Sequence, residues 1–291
     1  MIAWKQVAVY FLMAFIIIPA AAMDTGNTQV QTANEYINLG FMYERQGDYE
    51  AAIEAYTEAI RLDPNAAFVY NSRAAVYFQV GKYEQSIMDY TQAITLDPNQ
   101  DYFYIGRSNT FFRMGDFGRA IPDLTQAILM DPQIEVLYFN RGFAYLQVGE
   151  YINAIADFTQ ATQMNPGRAN SYHYRGYAFN KIGEYEFAII DSNRALRLEP
   201  GFAMAYNERG FSYFGLGDYE TAISNLTQAL NIEPGLMLAY YNRAYVYYMI
   251  REYELAIADF EAVLRIMPDH NSARMSIEAI REIQRAIRDL E

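Results

Sequence analysis

The sequence offers few residues that could carry out acid–base, nucleophilic or metal chemistry. Histidine occurs only at His173 and His270, and cysteine is absent. The chain contains no HExxH zinc motif, no glycine-rich phosphate loop and no serine nucleophile elbow. His173 falls on a predicted helix, where an ordinary surface histidine is expected rather than a ligand. We therefore expect no catalytic residue, no cofactor and no metal ion, and we predict that the protein is not an enzyme.

One spacing of charged residues recurs along the chain and joins arginine to aspartate. Six arginines recur at one fixed interval: Arg73, Arg107, Arg141, Arg175, Arg209 and Arg243. Sixteen residues after each arginine stands an acid or, once, an amide: Asp89, Asp123, Asp157, Asp191, Asn225 and Asp259. The place before the first arginine is Leu39, and the place sixteen residues after Leu39 is Ala55. If each acid served the next arginine, Arg73 would face Ala55, so the pattern favours pairing of each arginine with the acid that follows it. A ladder of arginines that binds an acidic ligand is the alternative, but paired arginines would be occupied.

These positions belong to a 34-residue repeat that runs without insertion or deletion. Seven copies follow one another: 33–66, 67–100, 101–134, 135–168, 169–202, 203–236 and 237–270. The fourth place is always Tyr, the twenty-first always Ile and the thirty-second always Pro. We number these copies as repeats 1 to 7.

Each repeat is predicted to form two helices. In repeat 4, apolar and small residues follow Tyr138 at helical spacing, Gly149 supplies a break, and Pro166 ends a second periodic run. Acids that stand just after the glycines would lie at the positive dipole end of the second helix. They are Asp48, Asp116, Glu150, Glu184 and Asp218. Much of the negative charge therefore has a structural explanation.

The motif within each copy resembles the tetratricopeptide repeat. Repeat 1 reads Tyr36-x-x-Leu39-Gly40-x-x-Tyr43 and continues with Gly47, Tyr49, Ala52, Tyr56, Ala59 and Pro64, with Tyr in place of the usual Trp. The resemblance covers 33–270. It implies an all-α, right-handed superhelical α-solenoid in which the first helices line a concave groove for peptides or protein segments. Residues 271–291 are predicted to form a C-terminal capping helix with a polar outer face.

The resemblance also implies which residues line the groove. The ninth and twelfth places supply the candidate partner-binding residues Phe78, Asn109, Phe112, Phe143, Leu146, Tyr177, Asn180, Phe211, Phe214, Tyr245 and Tyr248. Rings at the twelfth place would either pack against neighbouring helices or contact a ligand, and both interpretations stay open. Rings at the ninth place favour a groove that is lined by aromatic side chains. Only three lysines occur in the chain, which disfavours a groove that holds a terminal carboxylate.

The ends and the charge of the chain bear on location and partners. Residues 1–22 have the layout of a secretory signal peptide, with Lys5 before an apolar run and Ala20 to Ala22 after it. An uncleaved membrane anchor is the alternative, and 23–32 would be a polar linker. We expect an exported protein, periplasmic or secreted, that meets a membrane only through that segment if it stays uncleaved. The net charge of −13 disfavours binding to nucleic acid.

Two hypotheses of function follow. The first is a non-catalytic scaffold of the cell envelope that binds a peptide or protein segment in an aromatic-lined groove. The alternative is a non-catalytic subunit that presents substrate to a separate envelope enzyme or glycan-processing machine.

Overall fold

A computed structural model describes residues 32–289 of the chain. The predicted signal peptide, 1–22, and nearly all of the predicted linker lie outside the described residues. The described part holds fifteen α-helices and no strand. Their bounds are α1 Ala33–Gln46, α2 Tyr49–Leu62, α3 Ala67–Gln79, α4 Tyr83–Leu96, α5 Asp101–Met114, α6 Phe117–Met130, α7 Glu135–Gln147, α8 Tyr151–Met164, α9 Ala169–Lys181, α10 Tyr185–Leu198, α11 Ala203–Gly215, α12 Tyr219–Ile232, α13 Met237–Met249, α14 Tyr253–Ile266 and α15 Asn271–Arg288. The prediction of an all-α helical repeat protein is confirmed.

The helices divide into two compact units. The first unit extends to Gly149 and holds α1–α7, and the second begins at Glu150 and holds α8–α15. Within each unit every helix packs against the helix that follows it in the sequence. First helices of neighbouring repeats also pack side by side, α3 on α5 in the first unit, and α9 on α11 and α11 on α13 in the second.

Glycine ends the first helix of most repeats for a conformational reason. Six glycines have φ between 75° and 82°, the left-handed region that costs other residues energy. They are Gly47, Gly81, Gly115, Gly149, Gly183 and Gly217. In repeat 7 the same place is taken by Arg251, which adopts φ 65° and is the one non-glycine residue with positive φ among the described residues. The predicted breaks between helices are therefore set by backbone geometry.

Acidic side chains cap the second helices at several of these turns. Asp48, Asp116 and Asp218 each accept a hydrogen bond from the backbone N–H three residues later. Asp48 Oδ1, for example, lies 3.2 Å from Ala51 N. These acids satisfy groups that the helix itself leaves unpaired, so their charge serves the fold.

Small side chains allow the helices to approach closely. The twentieth place is alanine or serine in every repeat and is fully buried throughout, from Ala52 to Ala256. A Cβ on Gly106 would overlap the ring of Tyr90, and one on Gly210 would lie 2.7 Å from Leu226 Cγ. A helical hairpin cannot bury both its faces alone, so these contacts make stacking the source of stability.

The last helix covers the end of the second unit. Ala273, Ile277 and Ile280 of α15 are buried against α14, while Ile287 near its end is 43% exposed. His270 Nδ1 accepts a hydrogen bond from Ala273 N and caps this helix. No helix within residues 32–289 combines the length and hydropathy that crossing a bilayer requires.

Candidate functional site

The arginines at the seventh place bind acids of their own repeat. Arg73 donates from Nε to Asp89 Oδ2 at 2.7 Å and from Nη2 to Asp89 Oδ1 at 2.8 Å. The same forked geometry recurs in three further pairs: Arg107 with Asp123, Arg175 with Asp191, and Arg243 with Asp259. The side chain of Arg73 is 15% exposed and that of Asp89 is 9% exposed. The predicted pairing is confirmed for these repeats, and the paired guanidinium groups are not free for an acidic ligand.

The same arginines also reach into the preceding repeat, which the sequence analysis missed. Arg73 Nη1 donates to Thr57 Oγ1 at 2.9 Å, and Arg107 Nη1 to Thr91 Oγ1 at 3.0 Å. Equivalent bonds join Arg141 to Thr125, Arg175 to Thr159 and Arg243 to Thr227. The threonine holds the twenty-fifth place of its repeat, two places after the place that is an acid in most repeats. One guanidinium therefore links the two helices of its repeat and the repeat before it. We call this arrangement of arginine, acid and hydroxyl the clamp.

Repeat 6 has a clamp built from neutral groups. Arg209 Nε donates to Asn225 Oδ1 and Arg209 Nη1 donates to Asn193 Oδ1, both at 2.6 Å. Asn225 Nδ2 is turned away and donates to the carbonyl of Thr221 at 2.8 Å. Two amides thus replace the carboxylate and the hydroxyl, so this arginine is held without an opposing charge.

In the first unit, the first helices bury most of their candidate partner-binding residues. Phe78, Asn109, Phe112, Phe143 and Leu146 are each 9% exposed or less. Phe112 lies 5.3 Å from Phe117 and 6.2 Å from Phe143 between ring centroids, and Phe117 lies 5.9 Å from Phe143. These rings pack against one another, so little of their surface is available to a partner in this conformation.

In the second unit, the rings on the first helices are more open. Tyr177, Phe211 and Tyr245 hold the ninth place on α9, α11 and α13, and each is partly exposed. Phe214 at the twelfth place is also partly exposed, and Tyr248 is 37% exposed. Because α9, α11 and α13 lie side by side, these rings belong to one surface. We call this surface the open face.

Beneath the open face lies a buried polar network that the sequence analysis did not anticipate. Glu208 is 4% exposed and accepts from Asn207 Nδ2 at 3.1 Å and from Asn180 Nδ2 at 3.0 Å. Asn242 Nδ2 donates to Asn207 Oδ1 at 3.0 Å, and Ser212 Oγ lies 2.7 Å from Asn180 Oδ1. The network joins α9, α11 and α13. Asn180, a predicted groove residue, is 5% exposed and belongs to this network.

The repeat pattern explains why an acid fits at this depth. The sixth place of one repeat meets the twenty-fourth place of the repeat before it: Phe158 and Tyr174 stack at 5.9 Å, and Gly106 leaves room for Tyr90. In repeat 5 the twenty-fourth place is Ser192, whereas in the six remaining repeats it is a large aromatic or aliphatic residue. Glu208 holds the sixth place of repeat 6. A small residue before a long one at this junction was the sequence signal that could have revealed the buried acid.

Burial is the main influence on the pKa of Glu208, the acid under the open face. Burial raises the pKa of Glu208, and the hydrogen bonds from Asn180 and Asn207 oppose that rise. Lys181 Nζ lies 5.0 Å from the centroid of the Tyr177 ring, and its charge favours the ionised form of Glu208. A carboxyl held by amides is therefore the main titratable group under this surface.

The expectation of a surface position for His173 is wrong. The side chain is 5% exposed, and its ring lies 4.9 Å from both Tyr174 and Phe202. Burial lowers the pKa of His173 to about 4, so the imidazole is neutral at physiological pH. Its Nδ1 has no hydrogen-bond partner within the described residues. Aromatic packing against Phe202 displaces the water that a surface histidine would have.

Metal-binding geometry is absent from the described part of the chain. Residues 32–289 contain no cluster of three or more histidine, aspartate or glutamate side chains that could hold an ion. Several acids lie in helix caps or clamps, where they face backbone N–H groups or guanidinium groups.

Comparison with protein-family models assigns the repeats. Models of the tetratricopeptide repeat match residues 40–81, 67–100, 102–134, 136–168, 212–250 and 237–270. The chain belongs to the tetratricopeptide repeat family. None of these matching models describes an enzyme. No curated protein sequence matches the chain.

Solved structures share the tetratricopeptide fold over most of the chain. The C-terminal part of a repeat protein from Cytophaga hutchinsonii is 19% identical, covers 83% of this chain and 99% of its own, and gives a TM-score of 0.64. A tetratricopeptide repeat protein from Parabacteroides merdae is 18% identical, covers 85% and 98%, and gives 0.61. YrrB, described as a tetratricopeptide protein with an unusual peptide-binding site, is 23% identical, covers 65% and 97%, and gives 0.59. At these identities the likeness establishes the fold.

The tetratricopeptide architecture is that of a protein-interaction scaffold. Helical pairs stack into a surface made by many side chains. The prediction that the eleven groove residues contact a partner stays a prediction. The burial of six of them directs attention to the five on the open face: Tyr177, Phe211, Phe214, Tyr245 and Tyr248.

Proposed function

We propose that the protein is a non-catalytic scaffold whose open face binds an apolar peptide or segment of another protein. The observation that carries the proposal is the series of partly exposed rings at the ninth place of three consecutive repeats, Tyr177, Phe211 and Tyr245. Aromatic side chains are the commonest contact anchors because they bury a large area at little cost in side-chain entropy. YrrB supports the proposal as a protein of this fold with a peptide-binding site.

The chemistry around these rings favours an apolar partner. Between ring centroids, Phe211 lies 6.4 Å from both Tyr185 and Phe214, and Tyr245 lies 5.0 Å from Tyr241. Each of these rings therefore has aromatic neighbours. The Tyr245 hydroxyl is within 3.2 Å of the Tyr241 hydroxyl, and these groups can also bind a partner's backbone. Lys181 lies over the Tyr177 ring, and the chain has only three lysines, which leaves little to hold a terminal carboxylate.

We further propose that binding takes place outside the cytoplasm, in the cell envelope. The basis is the signal-like segment 1–22. Fractionation of cells that express the full chain with a C-terminal tag tests it: recovery from the periplasm or medium supports export, and recovery from the cytosol overturns it.

Peptide selection on the purified full chain tests the open face. A library of displayed peptides should yield binders rich in apolar residues. Replacement of Tyr177, Phe211 and Tyr245 together by Ala should weaken these binders at least about tenfold, which is about 1.4 kcal/mol. The matched control is Phe187→Ala, since Phe187 is 53% exposed on the second helix α10.

Selected peptides that bind the triple variant as tightly as the wild type, or that lose affinity equally with Phe187→Ala, would contradict the proposal. Circular dichroism of both variants shows whether each retains its helices.

A further inference from the structure

In the buried network under the open face, the Ser212 hydroxyl makes two short contacts to acceptors but has a single proton to donate. Ser212 Oγ lies 2.7 Å from Asn180 Oδ1 and 2.8 Å from the backbone carbonyl of Glu208, and both of these atoms accept hydrogen bonds. A hydroxyl has one proton to donate. With Asn180 Nδ2 directed at the carboxylate, one of these two short contacts has no proton of its own.

A half-turn of the Asn180 amide gives the 2.8 Å contact between Ser212 Oγ and the Glu208 carbonyl its proton without moving a heavy atom, at the cost of the longer, 3.2 Å hydrogen bond that Asn180 Nδ2 donates to the same carbonyl. The two ends of an amide have nearly the same shape, and their orientation is decided by hydrogen bonding. After the turn, Asn180 Nδ2 donates to Ser212 Oγ, and the Ser212 hydroxyl donates to the Glu208 carbonyl. Asn180 Oδ1 then faces Glu208 Oε2, in the place where the nitrogen now lies at 3.0 Å. Two acceptors face each other there unless the carboxyl carries a proton.

We propose that Glu208 and Asn180 form a proton switch between α9 and α11. In one form Glu208 is ionised and accepts from Asn180 Nδ2. In the other form Glu208 is protonated, donates from Oε2 to Asn180 Oδ1, and the amide donates onward to Ser212. Asn207 donates to Oε1 in both forms and continues the network to Asn242 on α13. The switch is independent of what the open face binds.

Burial favours the protonated form of Glu208 over the ionised form, compared with a glutamate in water. Glu208 is 4% exposed, and its oxygens accept from amides rather than from a cation. A carboxylate without an ion partner is costly to bury, whereas a neutral carboxyl with a donor and an acceptor is not. In agreement, burial raises the pKa of Glu208 above its ordinary range.

The charged groups of the surrounding helices leave Glu208 as the group that responds. On α9, Lys181 favours the ionised form of Glu208, and Tyr177 is neutral until well above physiological pH because burial raises its pKa. Four titratable side chains on the packed helices are engaged elsewhere: Asp191 of α10 with Arg175, Tyr185 of α10 against Phe211, Tyr219 of α12 against Phe214, and Arg243 of α13 with Asp259. Lys181 is the one cation whose charge bears on the pKa of Glu208 among the described residues.

The switch gives the second unit a definite dependence on pH. The folded-state pKa of Glu208 lies above its unfolded value, so its contribution to stability is full below the unfolded pKa, about 4.3. That contribution is lost as pH rises through the folded pKa. Mild acidification therefore strengthens the contact of α9 with α11, and neutral or alkaline pH weakens it.

The variant Glu208→Gln tests this dependence because its amide, like a protonated carboxyl, is uncharged and places a donor group beside an acceptor oxygen. Hydrogen exchange of α11 backbone amides is measured from pH 5 to pH 8 in the full chain for both proteins. At each pH the wild-type rate is divided by the variant rate, which removes the intrinsic pH dependence of exchange and the effects of other acids. The ratio should rise by up to about tenfold per pH unit between the unfolded and the folded pKa of Glu208, and should level off above the folded pKa.

Glu220→Gln is the control, since Glu220 is exposed on α12 of the same unit. Its ratio should stay constant with pH. A constant ratio for Glu208→Gln as well would overturn the switch.

A second measurement does not need the variant to fold. In the wild-type chain with ¹³C-labelled glutamate, the Glu208 carboxyl signal should titrate with a midpoint above about 4.3. A midpoint at or below that value would refute the proposal.

Ser212→Ala distinguishes the switch from simple burial. It removes the group that receives the flipped amide, so the protonated form gains an unsatisfied N–H, whereas the ionised form only loses a donor to an oxygen. Unsatisfied N–H groups are the costlier of the two. The midpoint should therefore fall in Ser212→Ala, and an unchanged or raised midpoint would exclude the amide turn.

Discussion

Repeats 3 and 6 have the same frame but place their charges differently. Repeat 3 holds Arg107 with the carboxylate of Asp123 and has Gly106 at its sixth place, under the ring of Tyr90. Repeat 6 holds Arg209 with two amides and has the acid Glu208 buried at its sixth place. The scaffold tolerates a buried acid either in the clamp or beneath the first-helix face, provided that hydrogen bonds surround it.

The same two repeats differ in what they expose. Phe112 of repeat 3 is 4% exposed beneath two neighbouring rings, whereas Phe211 and Phe214 of repeat 6 are partly exposed above the polar network. The rings of repeat 3 are packed within the protein, whereas those of repeat 6 are accessible to the partner that we propose.

The largest effect should come from removing the acid of the charged clamp. Asp123→Ala leaves the guanidinium of Arg107 partly buried without its partner, which we expect to cost about 3 kcal/mol in free energy of unfolding. Asn225→Ala, the equivalent change in repeat 6, removes a neutral acceptor and should cost about 1 kcal/mol. Urea denaturation at pH 7 measures both. Equal losses would show that the two clamps do not differ in kind.

The next effect concerns the sixth place. A methyl group on Gly106 would overlap the Tyr90 ring, so Gly106→Ala should destabilise the protein by about 1–3 kcal/mol. Gly118, also helical and in the same repeat, has no atom within 4 Å of an added Cβ. Gly118→Ala should instead stabilise by about 0.5–1 kcal/mol through helix propensity. Opposite signs in thermal melts are expected, and a stabilised Gly106→Ala would mean that Tyr90 can move aside.

Exchanging the acid and the amide between the two clamps should change the free energy of unfolding by a smaller amount, and the two exchanges should have opposite signs. Asp123→Asn gives repeat 3 the amide of repeat 6 and should cost about 1–2 kcal/mol, because hydrogen bonds between charged groups are about twice as strong as neutral ones. Asn225→Asp restores the carboxylate opposite Arg209 and should stabilise by about 1 kcal/mol. The gain from Asn225→Asp should vanish when the pH is lowered enough to protonate the new carboxyl. If it persists, the ion pair is not its source.

The smallest effect lies in the turn that follows repeat 7's first helix. Arg251 adopts φ 65° where other repeats have glycine. Arg251→Gly should therefore stabilise by about 0.5–1 kcal/mol, and Gly217→Arg in repeat 6, at φ 81°, should destabilise by about 1–2 kcal/mol. Denaturant midpoints of the two variants decide the matter. If both variants lower the denaturant midpoint, the side chain of Arg251 makes a stabilising contact.

Features that recur from repeat to repeat could be predicted from the sequence, and departures from the repeat could not. The helices, the glycine turns and the pairing of Arg73 with Asp89 follow from spacing, because a contact that recurs every thirty-four residues leaves a period. The hydroxyl of Thr57 also recurs, but it looks like an ordinary surface residue until the preceding repeat is packed against Arg73. Burial of Phe112 depends on how far Phe143 and Phe117 reach over it, which spacing does not encode.

The buried acid shows the limit most clearly. Glu208 was overlooked because its place is Asn, Ser, Gly or Tyr elsewhere, so it carried no periodic signal. His173 was misplaced at the surface for a related reason: Phe202, which covers it, belongs to no conserved place of the frame. Local chemistry at single departures requires the three-dimensional neighbours to be known.

The reach of each clamp into the preceding repeat has a consequence for how such a chain can change length. Loss of residues 101–134 would bring Arg141 beside Thr91, the hydroxyl that Arg107 now uses. Duplication of the same stretch would likewise place a threonine hydroxyl of the preceding repeat beside each new arginine. Insertions or losses of whole multiples of thirty-four residues therefore rejoin compatible surfaces, whereas any other length would separate donor from acceptor at the junction.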